Sequence, residues 1–167
     1  MFIPQKKIPA FAGHSFSKGM ILLLLFLTAG GISHSFAQSG KERQLADQYL
    51  SNSEFAKAAE LYDKLFDKDP FGTYPNYFRC LLAMKSFDKA EKLVRKISKK
   101  QPDNLSYGAD LGFVYQSQGQ DEKAQQQYER TIKMLRPDQG LILSLANAFI
   151  IRQDWDHALA TYLEGKR

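Results

Sequence analysis

Between residues 154 and 157 the chain reads Asp-Trp-Asp-His. Two carboxylates, an imidazole and the only tryptophan stand side by side, a set that could bind a metal or move a proton. Either chemistry needs more groups: zinc takes four ligands, and a catalytic base needs a partner to orient it. The other histidines, His14 and His34, lie in the N-terminal segment, and Cys80 is the single cysteine. A Cys–His nucleophilic pair or a histidine-rich metal site is therefore not expected. There is no glycine-rich phosphate loop, and nothing marks a carboxylate pair for hydrolysis. We expect no catalytic residue, no metal and no cofactor. Cys80 sits in "YFRCLLAM", apolar at helical spacing, and reads as a buried, inert thiol that packs as a small hydrophobe. A reactive thiol would want a nearby cation, for which Arg79 is the adjacent candidate. One cysteine also rules out an intramolecular disulfide.

The first 37 residues have a different logic. Lys6, Lys7 and Lys18 precede the apolar run "MILLLLFLTA", which gives way to small and polar residues ending "SFAQ". This is the layout of a secretory signal peptide, with the cut expected before Gln38. The run is short against the roughly 20 residues that span a bilayer, although an uncleaved anchor is the alternative. The absence of cysteine near the cut excludes a lipid-modified N-terminus. Without this segment the net charge falls from +5 to about +2, too near neutral to argue for nucleic acid.

The elements that must hold the Asp-Trp-Asp-His stretch emerge from a repeat. Ala58, Ala90, Ala124 and Ala158 recur in "EFAKAAELY", "SFDKAEKLV", "QDEKAQQQY" and "DWDHALATY" at spacings of 32, 34 and 34 residues. Four residues after each alanine stands Tyr62, Val94, Tyr128 or Tyr162. Three before stands Phe55, Phe87, Asp121 or Trp155. Twelve before stands Ala46, Phe78, Gly112 or Ala146, preceded by Leu45, Tyr77, Leu111 or Leu145. Both halves of each unit carry apolar residues three and four apart, the mark of amphipathic helices. Eight helices are expected, at about 41–52, 54–68, 75–85, 87–100, 104–117, 121–135, 138–151 and 154–165. Pro70, Pro102 and Pro137 close three units, and Pro75 opens a helix. In this register Trp155 is a core residue like Phe55 and Phe87. His157 faces outward with Lys57, Lys89 and Lys123.

These positions resemble the tetratricopeptide repeat family. The third unit matches best, with Leu111, Gly112, Tyr115, Gly119 and Ala124 where the family has them, and the resemblance covers residues 39–167. The second unit departs at Phe78, where a small residue is usual. The chain is similar to the N-terminal part of an exported bacterial protein of this family. The resemblance implies an all-α, right-handed solenoid of four helix–turn–helix repeats: 39–70, 71–103 (divergent), 104–137 and 138–167, after a signal peptide at 1–37. It also implies a concave groove lined by the first helix of each pair. Residues placed there are Arg43, Asp47, Leu50, Arg79, Leu82, Phe113, Gln116, Asn147 and Ile150. Some relatives bind a peptide's terminal carboxylate with lysines and asparagines; only Asn147 fits that pattern, and the activity is not carried over.

The expected function is therefore an exported, non-catalytic scaffold that binds a protein or peptide, in the periplasm or envelope of a Gram-negative bacterium. Two alternatives stay open: the sensor segment of a membrane signalling protein, and the N-terminal module of an enzyme whose catalytic domain lies beyond Arg167. Lys85, Lys89, Lys92, Arg95, Lys96, Lys99 and Lys100 form a basic stripe opposite the apolar side Ala90, Leu93, Val94 and Ile97. It reads as a solvated face, or as a weak contact with an anionic membrane surface through Lys89–Lys100. The fourth unit ends "LEGKR" without a terminating proline. Leu159, Tyr162 and Leu163 would lack a covering neighbour, so either this is the N-terminal piece of a longer array, the favoured reading, or another chain covers the end. Residues 38–167 alone are then expected to self-associate through this uncapped repeat.

Overall fold

The computed structural model describes residues 39–166. The helical array is the unit Lys41–Arg167; the signal segment read at 1–37 and its cut before Gln38 lie outside the described residues. Eight helices follow one another: α1 over residues 39–51, α2 Phe55–Phe66, α3 Pro70–Ala83, α4 Phe87–Lys100, α5 Ser106–Ser117, α6 Asp121–Lys133, α7 Gln139–Ile150 and α8 Trp155–Glu164. Among the described residues there is no strand. Each helix from α2 to α5 packs on the one that follows it, as α7 does on α8, while α5 also meets α7 and α6 meets α8. The result is a solenoid of four helical hairpins.

One turn geometry joins the two helices of every hairpin. Ser53, Lys85, Gly119 and Gln153 all have positive φ, at 60°, 54°, 74° and 60°. Each stands five residues before its repeat alanine. The amide of the next residue reaches back in each case: Glu54 to the Tyr49 carbonyl at 2.8 Å, Ser86 to Leu81 at 2.8 Å, Gln120 to Tyr115 at 2.9 Å and Asp154 to Phe149 at 3.1 Å. The positive-φ residue itself donates to the carbonyl three back: Leu50, Leu82, Gln116 or Ile150. This pair of bonds is the Schellman ending, which satisfies the last carbonyls of the first helix and turns the chain at once. Only the third repeat uses glycine for it.

Packing inside the hairpins follows the alanine register. Ala58, Ala90, Ala124 and Ala158 are all buried, as are Tyr62, Val94 and Tyr128 four residues on. Ala46 and Ala146 are fully buried at the small position. At Gly112 the need is absolute: a Cβ there would stand 2.1 Å from Cε1 of Tyr128. The Tyr128 ring cannot simply yield, because it lies edge-on to Phe149 at 5.3 Å. Phe78, the departure at this position, is buried and stacks on Tyr74 at 5.5 Å, with the planes 15° apart.

Four expectations need correction. Pro70 does not close the first repeat but starts α3 at its first turn, with Asp69 as the cap whose carboxylate accepts from the Gly72 amide at 3.0 Å. Pro75 consequently lies inside α3, not at its start. The physical reason is a short connection. Only residues 67–69 separate α2 from α3, against 101–105 between α4 and α5, so the shorter spacing of 32 is taken up before α3 begins. Trp155 is not core: it is 62% exposed. His157, read as outward, turns in. Its ring stacks on Phe149 at 5.3 Å and meets Tyr128 at 4.6 Å, while Nδ1 lies 2.8 Å from the Asp154 carboxylate.

Candidate functional site

An open groove of about 510 Å³ runs across α3, α5 and α7. Alternate turns of each helix supply it. From α3 come Tyr74, Phe78, Arg79 and Leu82; from α5 come Ser106, Asp110 and Phe113, spaced four and three apart; from α7 come Ser144, Asn147 and Ala148. The Ser106 and Ser144 hydroxyls are 2.9 Å apart, a direct tie between α5 and α7. Apolar surface is offered by Leu82, Phe113 and the exposed Ile151. Arg79 is exposed and has no hydrogen-bond or ion-pair partner among the described residues. Its guanidinium is thus available to a ligand's acceptors.

The groove has a buried ionic wall. Asp110 accepts hydrogen bonds from the Tyr74 hydroxyl and from Arg152. Arg152 also donates to the Ala148 carbonyl and lies over the Phe113 ring, 5.1 Å from its centroid. Burial raises the Asp110 carboxyl above the ordinary aspartate range, against the opposing pull of Arg152 and the Tyr74 hydroxyl. Burial likewise raises the Tyr74 phenol, reinforced by the neighbouring Asp110 charge. The raised phenol keeps Tyr74 a neutral donor, and the bonds of Arg152 to Asp110 and the Ala148 carbonyl hold it in place, so one cation of the groove is committed and Arg79 is not. The arrangement offers shape, apolar contact and one unpaired guanidinium; it positions no nucleophile beside a base.

Of the residues read as groove-lining, the structure brings Arg79, Leu82, Phe113 and Asn147 together. The others lie elsewhere. Arg43 donates to the Gly72 carbonyl at 3.0 Å, to Asp69 at 2.8 Å and to Thr73 Oγ1 at 2.9 Å, holding α1 to the start of α3. Asp47 accepts from the Tyr62 hydroxyl and the Asn76 amide. Leu50 is in the core, and Ile150 packs partly buried against it. The Gln116 side chain accepts from the Tyr128 hydroxyl at 3.2 Å. Sequence reasoning missed Tyr74, Asp110 and Arg152. A signal existed for Asp110 alone: a carboxylate within the apolar run "LGFVY" and its preceding alanine has to be paired.

Among the described residues, no group of three or more His, Cys, Asp or Glu side chains is arranged to hold a metal ion. Asp154 and His157 pair with each other, and His157 Nε2 lies 3.1 Å from the Gln125 amide oxygen. The Asp-Trp-Asp-His stretch is thus the start of a helix, with Asp154 as its cap. Cys80 is fully buried, and burial pushes its thiol up to about 11.

No protein-family model matches the chain, and no curated protein matches it. Among solved structures the chain is similar to MamA. One MamA crystal structure is 19% identical with a TM-score of 0.48, over 76% of this chain and 75% of that one. A second is 18% identical with a TM-score of 0.49, over 80% and 74%. MamA from residue 41 to its end, from Desulfovibrio magneticus RS-1, is 15% identical with a TM-score of 0.48, over 77% and 73%.

Proposed function

We propose that this protein is an exported, non-catalytic scaffold that holds a peptide or protein segment in the groove across α3, α5 and α7. The observation that carries this is the convergence of Arg79, Leu82, Phe113 and Asn147 from three successive first helices onto one open trough. Such a trough suits a segment laid along it with apolar anchors and a single acidic or carbonyl contact to Arg79. Substituting Arg79→Ala and Phe113→Ala together removes both kinds of contact from exposed or half-exposed positions. The double variant should melt as the parent does yet lose a partner recovered from envelope extract by the parent. An unchanged set of recovered proteins would sink the groove assignment. Export rests on the N-terminal segment, and the mass of the mature N-terminus tests the cut before Gln38.

Self-association has its own support. Trp155, Leu159, Tyr162 and Leu163 fall at i, i+4, i+7 and i+8 of α8, and all are exposed. A stripe of this kind on a helix is an interface pattern. Residues 38–167 should sediment as more than a monomer, and Leu159→Lys should return them to one; a monodisperse parent monomer would refute this part.

A further inference from the structure

We infer that a second cleft, between α4, α5 and α6, binds a small anionic amphiphile: a carboxylate or phosphate carried on an apolar stem. This does not rest on the groove reading. The cleft lies on the other side of α5, where Tyr107, Gly108 and Leu111 line it in place of Ser106, Asp110 and Phe113. Its volume is about 420 Å³, within the roughly 300–1,000 Å³ typical of small-molecule sites.

The floor is apolar. Leu105, Tyr107 and Leu111 line it from positions otherwise buried in the array, and Met134 stands at the rim, more than half exposed. The rim is cationic. Lys99 comes from the last turn of α4, Arg130 from α6, and Arg95 from the middle of α4. No aspartate or glutamate is among the residues lining the cleft. The one acidic side chain of the adjoining turn, Asp103, is bound by Arg136 at 2.8 Å. Arg95 is held by Glu91 at 2.9 Å and by the Tyr115 hydroxyl at 2.6 Å. Lys99 and Arg130 have no hydrogen-bond or ion-pair partner among the described residues.

Most neutral polar side chains of the lining are already paired: the Tyr107 hydroxyl donates to Gln101 Oε1 at 3.3 Å, and Asn104 Oδ1 accepts from the Ser106 amide at 3.2 Å. Ser98 donates to the Val94 carbonyl at 2.7 Å, Thr131 to the Gln127 carbonyl at 2.8 Å, and the Gln127 amide to Thr131 Oγ1 at 3.0 Å. The charged donors left for a ligand at the mouth of the cleft are therefore the ammonium of Lys99 and the guanidinium of Arg130. Cations beside a low-dielectric wall focus a positive potential into the cleft. The planar fork of a free arginine matches a carboxylate or phosphate, and a lysine adds a point charge. The apolar floor then rewards a stem that leaves water. A bare anion would leave the floor wet, and an uncharged amphiphile would leave both cations to water.

The test is calorimetric titration of the full chain at low salt with octyl phosphate kept below its micelle concentration. Inorganic phosphate, octanol and phosphatidylglycerol vesicles form the comparison arms. Octyl phosphate should bind one per chain, at least tenfold more tightly than inorganic phosphate or octanol. The Lys99→Gln/Arg130→Gln variant should lose at least tenfold in affinity and most of the salt dependence, with an unchanged circular dichroism spectrum, since both side chains are exposed. Met134→Glu, which sets a negative charge on the rim, should weaken binding as well. The inference is overturned by no binding of octyl phosphate, by equal binding of either comparison solute, by equal affinity in the double variant, or by binding to vesicles alone.

Discussion

The His157 imidazole lies stacked on the Phe149 ring, with centroids 5.3 Å apart and planes 26° apart. The same relation, eight residues apart, recurs in two other hairpins: Lys57 stands over Tyr49 at 5.2 Å and Lys123 over Tyr115 at 3.8 Å. Each second helix thus lays a cation or an imidazole on an aromatic of the first, just past the Schellman turn. The exception is the second repeat, where the position eight before Lys89 is Leu81.

This contact orders two neighbouring substitutions. Replacing His157 by Ala removes the ring contacts to Phe149 and Tyr128 together with the Asp154 contact, and should cost about 1–2 kcal/mol. Replacing Trp155 by Ala touches a largely exposed side chain and should cost about 0.5 kcal/mol or less. Urea unfolding midpoints decide it, and the opposite order would return Trp155 to the core.

The four Schellman turns predict a second pair of opposed effects. Lys85 adopts φ 54° with a side chain that this region disfavours, so Lys85→Gly should raise stability by up to about 1 kcal/mol. Gly119 adopts φ 74°, and nothing stands within 4 Å of a Cβ added there. Gly119→Ala should therefore lower stability by about 1 kcal/mol through backbone strain alone. Thermal melts of both variants check the signs; two shifts in the same direction would contradict the turn assignment.

Arg152 and Asp110 give a pH prediction. Arg152→Gln leaves Asp110 buried without its cation, and should cost about 3–5 kcal/mol near neutral pH. The carboxyl, already raised by burial, rises further. A raised folded-state pKa means that stability is fully present below the unfolded value near 3.9 and is lost as pH climbs through the folded value. The gap between parent and variant should therefore narrow as pH falls from 7 towards 4. A gap that stays constant across this range would show that Asp110 carries no charge to compensate.

Cys80 should be silent in the native state. Its thiol is fully buried and sits at about 11, so at pH 8 the thiolate that attacks a disulfide reagent is scarce as well as hidden. Reaction with an aromatic disulfide should be complete only after unfolding in denaturant. Rapid labelling of the folded chain would place the thiol at the surface.

Much of the fold is legible in the sequence because it is local. The alanine register, the helical periodicity and the hairpin turns are set by residues within one repeat, and each repeat states them again. Where the beat is strict, as at Gly112 against Tyr128, type and spacing suffice. Pro70 shows the limit: the same residue ends one helix or begins the next, and Asp69 together with a connection of three residues decides for the second. Four of the nine groove residues fall together because the first-helix face repeats with the array.

By itself, then, the sequence determined a row of helical hairpins, their turns and which side of each helix is apolar. Only the tertiary structure decided that Trp155 faces solvent while His157 stacks inside, and that Asp110 finds Arg152 one repeat on. It also decided which cations keep a partner and which, like Arg79, Lys99 and Arg130, do not. The reason is range. Helices and caps answer to residues three to six apart, whereas a buried charge or a free one depends on side chains brought together across 30 or more residues, for which a repeat carries no local sign.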